Sequence, residues 1–398
     1  MEQLRFPDSQ GQGRHLTSNG GAPASTSKPA FWIDHPDFLE FFSGSGLVAQ
    51  GLKNIFSPVW ANDNCIKKGS VYTANHGADY FQLESIAKID GKSLPEAQLA
   101  WASFPCQDLS LAGLTEGING SRSGLVWEWL RVIDEMPVRP RLLVAENVVG
   151  LVSAAGGSHY RALHEALVNR GYIVGAMVLD AALWTPQSRP RVFVVAVDST
   201  SPVPAGLTSF HPNWLHPESL RKASMGLKNW VWWSMPQPPT RKKQLSDIVE
   251  WDAPFADPET EKRNISLIAP RHYALINALP KDKSFVAPGY KRTRSGKQVL
   301  ELRFDQIAGC LRTPEGGSSR QILVIRSNGK LRSRLLTVRE TARLMGAPET
   351  YKIPGSYNDG YKAMGDAVAA PVARWLGKKL LLPLAVATYE QKTRKKAL

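Results

Sequence analysis

Short apolar runs alternate with helix-like segments between residues 38 and 200, and this alternation constrains the fold more than any other feature of the chain. The apolar runs occupy residues 38–42, 59–61, 98–103, 141–146, 172–179 and 192–197. Helical periodicity is visible between several of them, at residues 65–76, 125–136 and 159–170, and Gly171 ends the last of these. Repeated strand–helix–strand units predict an α/β fold with a doubly wound, largely parallel sheet.

Composition and cysteine content exclude several classes of protein. Of the 398 residues, 43% are apolar and 21% are charged, as expected for a folded rather than a disordered chain. The apolar run at residues 380–387 is interrupted by Pro383 and is far shorter than the roughly 20 residues that span a bilayer. The three cysteines are widely separated, and residues 1–28 lack the layout of a secretion signal. We therefore expect a cytoplasmic protein with no disulfide framework, no metal site and no membrane association.

Positive charge is concentrated in one region. Residues 200–335 hold 22 Lys and Arg against 11 Asp and Glu, whereas the whole chain has a net charge of +14. Aromatic residues lie among these charges, at Trp214, Trp230, Trp232, Trp233 and Tyr290. This mixture is typical of a surface that binds a polyanion, and a solvated basic face is the alternative.

The same texture predicts the domain organisation. Residues 1–30 are rich in Gly, Ser, Gln and Pro and predict a flexible lead-in. The strand–helix alternation stops near residue 200, and helical periodicity returns at residues 337–345 and 367–382. We therefore predict one domain built from residues 31–200 plus 336–398, with a basic domain at residues 201–335 inserted into it.

A glycine-containing turn follows the first apolar run. Gly44 and Gly46 would let the backbone approach a ligand, and the helix that follows would present free N–H groups. Asp63 ends the second run, where an acid can accept hydrogen bonds from ribose hydroxyls. Position 49 is alanine where the dinucleotide fingerprint has its third glycine, so a nucleoside cofactor other than NAD is predicted. A plain packing turn is the alternative.

Cys106 follows the third apolar run in the sequence Pro105-Cys106-Gln107. A lone cysteine is usually a small buried hydrophobe. This one lies at the carboxyl end of a predicted parallel strand, where ligands of doubly wound sheets bind. A thiolate at that position is a candidate nucleophile if nearby cations lower its pKa.

With these residues the chain resembles the DNA (cytosine-5) methyltransferases, which use S-adenosyl-L-methionine. The family's blocks Phe-x-Gly-x-Gly, Pro-Cys-Gln, Glu-Asn-Val, Gln-x-Arg-x-Arg, a late helix and Gly-Asn-x-Val are matched in order by residues 42–46, 105–107, 146–148, 187–191, 336–344 and 365–368. Any one tripeptide could match by chance, but chance does not explain an ordered series of matches across nearly the whole chain. Two positions depart from the family: Glu40 replaces its usual Asp, and Asp366 replaces its usual Asn.

The resemblance implies roles for individual residues and no metal. It implies a catalytic group of Cys106, Glu146, Arg189 and Arg191. It implies a cofactor-binding group of Phe42, Gly44, Gly46, Asp63, Asp79, Leu125 and Asp366. The two arginines are separated by one residue, which in an extended segment would direct both guanidinium groups to one face, toward Glu146 and the substrate base.

The implied function is methyl transfer to C5 of cytosine at a short sequence in double-stranded DNA, through a covalent bond between Cys106 and C6 of a flipped-out base. The basic insert would read the DNA, and the glycine-rich residues 108–124 would form a mobile lid. A bacterial or phage modification enzyme, monomeric and associated with the nucleoid, is expected. The alternatives are an RNA cytosine-5 methyltransferase, whose Cys-Phe-Thr tripeptide is absent here, and a non-catalytic DNA-binding protein with the same fold.

Overall fold

The computed structural model describes residues 35–105, 124–280, 284–313, 320–327 and 329–397. The predicted lead-in, Cys106 and nearly all of the predicted lid lie outside these ranges.

A seven-stranded sheet forms the centre of the molecule. Its strands are β1 Asp37–Phe41, β2 Ser57–Asp63, β3 Phe81–Leu83, β4 Leu99–Ala102, β5 Leu142–Val148, β6 Tyr172–Asp180 and β7 Pro190–Asp198. The strand order is β3-β2-β1-β4-β5-β7-β6, and β1 to β5 pair in parallel. Strand β7 runs antiparallel to both of its neighbours. The link from β6 is short and lacks the crossover helix that would bring the chain back to run parallel, so β7 runs in the opposite direction to β6. The doubly wound, largely parallel sheet predicted from the sequence is confirmed.

Helices cover both faces of this sheet. Those before the insert are α1 Leu47–Leu52, α2 Ile66–His76, α3 Leu125–Glu135, α4 Gly150–Ser153 and α5 Ser158–Val168. Alternate residues of β1 point to opposite faces, so Phe38 belongs to one hydrophobic core and Phe41 to the other. A strand with both faces buried has few polar residues, which explains the continuous apolar runs in the sequence.

The segment after β7 forms two distinct parts. The first contains β8 Thr208–Ser209, α6 Glu218–Ser224 and β9 Trp232–Trp233; the second contains α7 Pro258–Ser266, α8 Pro270–Ala278, β10 Phe285–Arg294, β11 Lys297–Leu302, β12 Ile322–Ser327 and β13 Lys330–Leu335. Strands β10 to β13 form an antiparallel sheet with the order β11-β10-β12-β13. This sheet has its own small core, which includes Ile276, Leu300 and Val324.

The first part of this segment packs against the central sheet. Leu215, Trp233 and Leu245 pack into the core of the central sheet, and the Trp233 indole N–H donates to the carbonyl of Val195 in β7 at 3.2 Å. These tryptophan-rich residues cover the antiparallel β6–β7 edge, and the elements at residues 258–335 are called the inserted unit. The domain boundary at residue 201 stays a prediction. The end of a strand–helix alternation marks a change of local structure but does not show which core the next segment joins.

The last part of the chain returns to the central sheet as α9 Val338–Leu344, α10 Tyr357–Asp366, α11 Ala370–Leu376 and α12 Leu382–Ala397. Thr337 and Glu340 form a reciprocal capping box at the start of α9. Gly51 of α1 permits close contact with α11, because a Cβ on it would lie 2.4 Å from the carbonyl oxygen of Ala370.

Across the described ranges, no helix has the length and apolar character needed to cross a bilayer.

Candidate active site

The carboxyl ends of β1 and β2 form the first half of the site. Gly44 and Gly46 have positive φ values of 55° and 78°, and Phe42 has a positive φ of 54°. The Asp63 carboxylate holds this turn, because its two oxygens accept from the backbone N–H groups of Gly44 at 2.9 Å and Cys65 at 2.8 Å. The structure therefore brings together four of the predicted cofactor residues.

A half-buried polar side chain, His76, packs against this turn. His76 Nε2 lies 2.9 Å from the carbonyl oxygen of Gly46 and 3.1 Å from the Tyr351 hydroxyl. A Cβ on Gly46 would lie 2.6 Å from the His76 ring, so only glycine fits at this position. Burial lowers the pKa of His76 to about 4, so the ring is neutral near pH 7.

Asp79 does not join this group. It is exposed and lies two residues before β3, at the amino end of that strand, whereas the turn lies at the carboxyl ends. The carboxylate on the correct edge is Glu84, the first residue after β3. Its backbone N–H donates to the carbonyl of Asp63 at 3.1 Å, and its own carbonyl accepts from the Asn62 side chain at 2.6 Å.

Asp366 lies beside the same turn with its charge balanced. Lys68 of α2 forms an ion pair with its carboxylate at 2.6 Å, and the Thr313 hydroxyl donates to it as well. Burial lowers the pKa of Lys68, but the Asp366 carboxylate more than offsets this, so the pKa is raised overall. Lys68 also approaches the turn, since its Cδ lies 4.0 Å from where a Cβ on Gly44 would be.

Leu125, the remaining predicted cofactor residue, is the first residue of α3 and packs half-buried against the core on one face of the sheet. Only Gly124 separates it from residues 106–123, which lie outside the described ranges.

The carboxyl end of β5 carries the second half of the site. Glu146 Oε1 lies 3.3 Å from the Arg191 Nε in the adjacent strand, and the two side chains are only 9% and 15% exposed. Burial raises the pKa of Glu146, and Arg191 and Arg189 hold it down less strongly, so the pKa lies above its ordinary value. A raised pKa enlarges the protonated fraction of a carboxyl group at any given pH, so this environment favours a group that can hold and donate a proton.

Arg189 makes different contacts from those that its spacing suggests. Its guanidinium donates to the carbonyls of Leu311 at 3.0 Å, Gly365 at 2.8 Å and Ala367 at 2.7 Å. Arg191 pairs with Glu146, whereas Arg189 influences Glu146 only through its charge and joins the insert to the end of α10. A catalytic role for both arginines stays a prediction. Pro190 begins β7, so Arg189 precedes the strand and the two-residue alternation does not apply to it.

Asn147, next to Glu146, forms a hydrogen bond to the segment that precedes Cys106. Its side-chain amide donates to the carbonyl of Phe104 at 2.9 Å, and its side-chain oxygen accepts from the backbone N–H of Val148 at 2.9 Å. Asn147 is 3% exposed. The end of β5 and the residues just before Cys106 are thereby held at one edge of the sheet.

Comparison with known proteins decides the family. The sequence pattern of the C-5 cytosine-specific DNA methylases matches residues 37–382. This chain belongs to that family.

Its relatives include the type II methyltransferase M.BsuFI of Bacillus subtilis, which is 25% identical over 87% of this chain and 73% of that protein. The type II methyltransferase M.MspI of a Moraxella species is 26% identical over 87% of this chain and 71% of that protein. Among solved structures, the Dnmt2 methyltransferase of S. pombe superposes with a TM-score of 0.55 at 18% identity, covering 87% of this chain and 98% of that one. The chain is a DNA cytosine-5 methyltransferase.

The family implies S-adenosyl-L-methionine as co-substrate, and the residues at the β1–β2 edge fit it. Gly44 leaves its side-chain position open, because among the described residues only Lys68 has an atom within 4 Å of it. The side-chain oxygen of Asn62 is buried and has no hydrogen-bond partner among the described residues. An open backbone turn, an acid and an unpaired acceptor are the groups that a nucleoside with hydroxyl and amino groups needs.

Three further residues, which the sequence did not predict, lie beside the candidate site residues of this methyltransferase. Glu84 follows a strand of three residues, which is too short for its end to be read from alternation. Lys68 lies on a helix and reaches the site only through the fold. Cys310 lies in the insert, yet its sulfur accepts from Arg189 at 3.4 Å and Arg191 at 3.8 Å. Of these three residues, only Glu84 could have been predicted from the sequence, because it is an acid that lies between two predicted strands.

Proposed function

We propose that this enzyme methylates C5 of a cytosine rotated out of double-stranded DNA at a specific short sequence, through a covalent bond between Cys106 and C6 of the base. The observation that carries the proposal is the buried Glu146–Arg191 pair at 3.3 Å. This pair lies at the same edge of the sheet as Phe104, two residues before Cys106, whose carbonyl accepts a hydrogen bond from Asn147.

Glu146 would act as the proton donor to the base. When a thiolate of Cys106 adds to C6, the S–C6 bond forms and the C5–C6 double bond shifts its electrons toward the ring nitrogen N3. A proton from Glu146 at N3 would neutralise the charge that develops there. The raised pKa of Glu146 supports this role, because it enlarges the protonated fraction of the carboxyl group.

Arg191 would position Glu146 and contact the oxygen of the base. Bound S-adenosyl-L-methionine supplies an electrophilic methyl group, and Gly44, Gly46, Asp63 and Glu84 are the residues that would hold it. Carbon C5 would take this methyl group, and S-adenosyl-L-homocysteine would leave. Return of the N3 proton to Glu146, loss of the C5 proton and release of the Cys106 thiolate would then restore the aromatic ring.

A cytosine inside a duplex cannot be reached by these residues, so the base must leave the stack. The inserted unit supplies the positive charge that double-stranded DNA requires, and it contacts the catalytic site through Cys310. Its position beside the Glu146–Arg191 pair supports DNA as the substrate. Phosphate contacts from such a surface give affinity that falls with salt.

The test is methyl transfer from labelled S-adenosyl-L-methionine to duplex DNA, with RNA as a second substrate. We expect label in DNA, no label with Cys106→Ala, and a 10²- to 10⁴-fold loss of kcat with Glu146→Gln, roughly the usual contribution of a general acid. Glu165→Gln changes an exposed carboxylate of α5 and is the control. Label in RNA alone, or unchanged activity of Cys106→Ala, would contradict the proposal.

A duplex with 5-fluorocytosine at the target position tests the covalent step. Fluorine cannot leave as the C5 proton does, so the adduct should survive denaturation with the unaltered enzyme and be absent with Cys106→Ala. Bisulfite mapping of methylated cytosines in a host that expresses the protein gives the recognition sequence. Methylation without sequence preference would contradict the specificity part of the proposal.

A further inference from the structure

Two arginines of the inserted unit lie against one aromatic ring. The guanidinium carbon of Arg292 is 5.3 Å from the ring centroid of Tyr290, and that of Arg312 is 5.8 Å from the same centroid. Arg292 follows Tyr290 by two residues on β10, so the two share a face of the sheet. Arg312 reaches the ring from the segment between β11 and β12. The Tyr290 ring therefore contacts two arginines that are 20 residues apart in the sequence.

The Tyr290 ring is held firmly in place. It is 9% exposed, and its hydroxyl donates to the carbonyl of Cys310. Gly309 lies against the ring, where a Cβ would be 2.7 Å from Tyr290 Cε2. Gln321 fixes Gly309 in turn, accepting from its N–H at 2.9 Å and donating to its carbonyl at 2.8 Å. A stacked guanidinium on such a ring loses little freedom when it binds a ligand.

This arrangement adjoins the catalytic residues. The Cys310 sulfur lies 3.8 Å from an Arg191 nitrogen, and Arg191 pairs with Glu146. The carbonyl of Arg312 packs against Gly365, where a Cβ would be 3.0 Å from that oxygen. The arginine pair, Arg292 and Arg312, therefore lies at the junction between the insert and the catalytic domain.

Within the described parts of the chain the charges of the arginine pair are balanced only in part, because Glu301 on β11 attracts Arg292 without forming an ion pair with it. Neither guanidinium has a hydrogen bond or an ion pair there, Arg312 is exposed and Arg292 is half-buried. By contrast, Arg294, the next residue on the same strand face, donates to both oxygens of Glu301 at 2.8 and 2.9 Å. Two like charges beside one ring repel each other, and a bound anion removes that repulsion.

We propose that Arg292 and Arg312 bind the phosphodiester backbone of the DNA strand beside the target cytosine, and that Tyr290 is the positioning residue that aims them. The inference rests on the proposed function, since the phosphates flanking a base held at Glu146 are the nearest anions of the substrate. A guanidinium matches a phosphate with two parallel hydrogen bonds. Phosphate contacts place the DNA and carry no base information.

The test measures DNA affinity at several salt concentrations for Arg292→Ala and Arg312→Ala, using a duplex that carries the mapped recognition sequence. Each variant should lower the slope of log K against log salt by about 0.9, as loss of one phosphate contact does. The KM for DNA should rise roughly tenfold with kcat at saturating DNA nearly unchanged. The control is Arg294→Ala, whose charge is already paired, and it should retain the slope of the unaltered enzyme.

Substitution of Tyr290 separates positioning from simple packing. Tyr290→Phe keeps the ring and should retain the salt slope, whereas Tyr290→Leu removes the stacking surface and should behave like the arginine variants. If Tyr290→Leu does not fold, the two arginine variants decide the question alone.

Two results would overturn the inference. One is an unchanged salt slope in both arginine variants. The other is methylation that spreads to related sequences with the slope retained, because that is the behaviour of base-reading residues. If the unaltered enzyme transfers no methyl group to DNA, the proposed function fails; if it does and the arginine variants match Arg294→Ala, only this inference fails.

Discussion

Replacing Arg189 by methionine should destabilise the protein rather than alter its chemistry directly. The guanidinium is 3% exposed and donates to the carbonyls of Leu311, Gly365 and Ala367. Methionine has a similar length and no donor. The change therefore leaves three carbonyl groups at the junction of the insert and α10 without their partner.

The magnitude follows from two opposing effects. Three charge-assisted hydrogen bonds at about 2 kcal/mol each stabilise the fold by about 6 kcal/mol. Burial lowers the pKa of Arg189 to about 10, and a shift of that size corresponds to a cost of about 3 kcal/mol for keeping the charge buried. The expected loss is thus about 3 kcal/mol, which lowers Tm by about 5–10 °C.

Arg191→Met is the matched control, because it removes the same group two residues away. Arg191 contacts Glu146 and the Cys310 sulfur and is 15% exposed. We expect a Tm within a few degrees of the unaltered protein and a kcat reduced by about 10²-fold or more. Thermal unfolding and labelled methyl transfer below the lower Tm give both quantities for each variant.

The opposite pattern would contradict a structural role for Arg189. If Arg189→Met retained its Tm and lost activity as completely as Arg191→Met, then Arg189 would act on the substrate, as its spacing in the sequence suggests. Loss of stability in both variants to the same degree would show that the Glu146–Arg191 pair also holds the fold together.

Two further predictions concern the cofactor edge of the sheet. Lys68→Met and Asp366→Asn should each destabilise the protein, and the double variant should be more stable than the sum of the single changes predicts, with a coupling of about 1–2 kcal/mol in urea unfolding; additive changes would contradict the ion pair. Because burial lowers the pKa of His76 from 6.5 to about 4, protonation favours the unfolded state, so stability present above pH 6.5 is lost by about 3 kcal/mol as pH falls toward 4. His76→Asn should flatten this part of the curve of unfolding free energy against pH, and an unchanged slope would show that His76 is not neutral in the folded protein.

Strand periodicity predicted the sheet well because both faces of each central strand are buried. The runs at residues 38–42 and 141–146 coincide closely with β1 and β5. A parallel sheet brings all carboxyl ends to one edge, so Gly44, Asp63 and Glu146 could be assigned to one site without knowledge of side-chain contacts. Asp79 shows the limit of this approach. Asp79 is an acid, as the cofactor site requires, but it precedes the three-residue strand β3 and so lies at its amino end. Glu84 follows β3 and lies at the carboxyl end, beside Asp63.

The insert illustrates a second limit. Its charge was visible in the sequence, but the packing of its first part against the central sheet was not, because no local pattern marks Trp233 as a residue of the central core. Arg292 and Arg312 are two of 22 basic residues between positions 200 and 335. Their neighbours along the chain do not distinguish them from Arg294, whose carboxylate partner lies on β11.

The sequence by itself determined the α/β sheet, the order of the catalytic blocks and the family, since these depend on periodicity and on short motifs that are local in the chain. Only the tertiary structure decided which charges are paired. Arg189 and Arg191 are nearly adjacent in sequence, yet one binds the carbonyls of α10 and the insert while the other faces Glu146. A charged group pairs with whichever partner lies nearest to it in the folded protein. The contact of Arg189 with Leu311 joins residues more than 120 positions apart, and no short sequence pattern indicates such a contact.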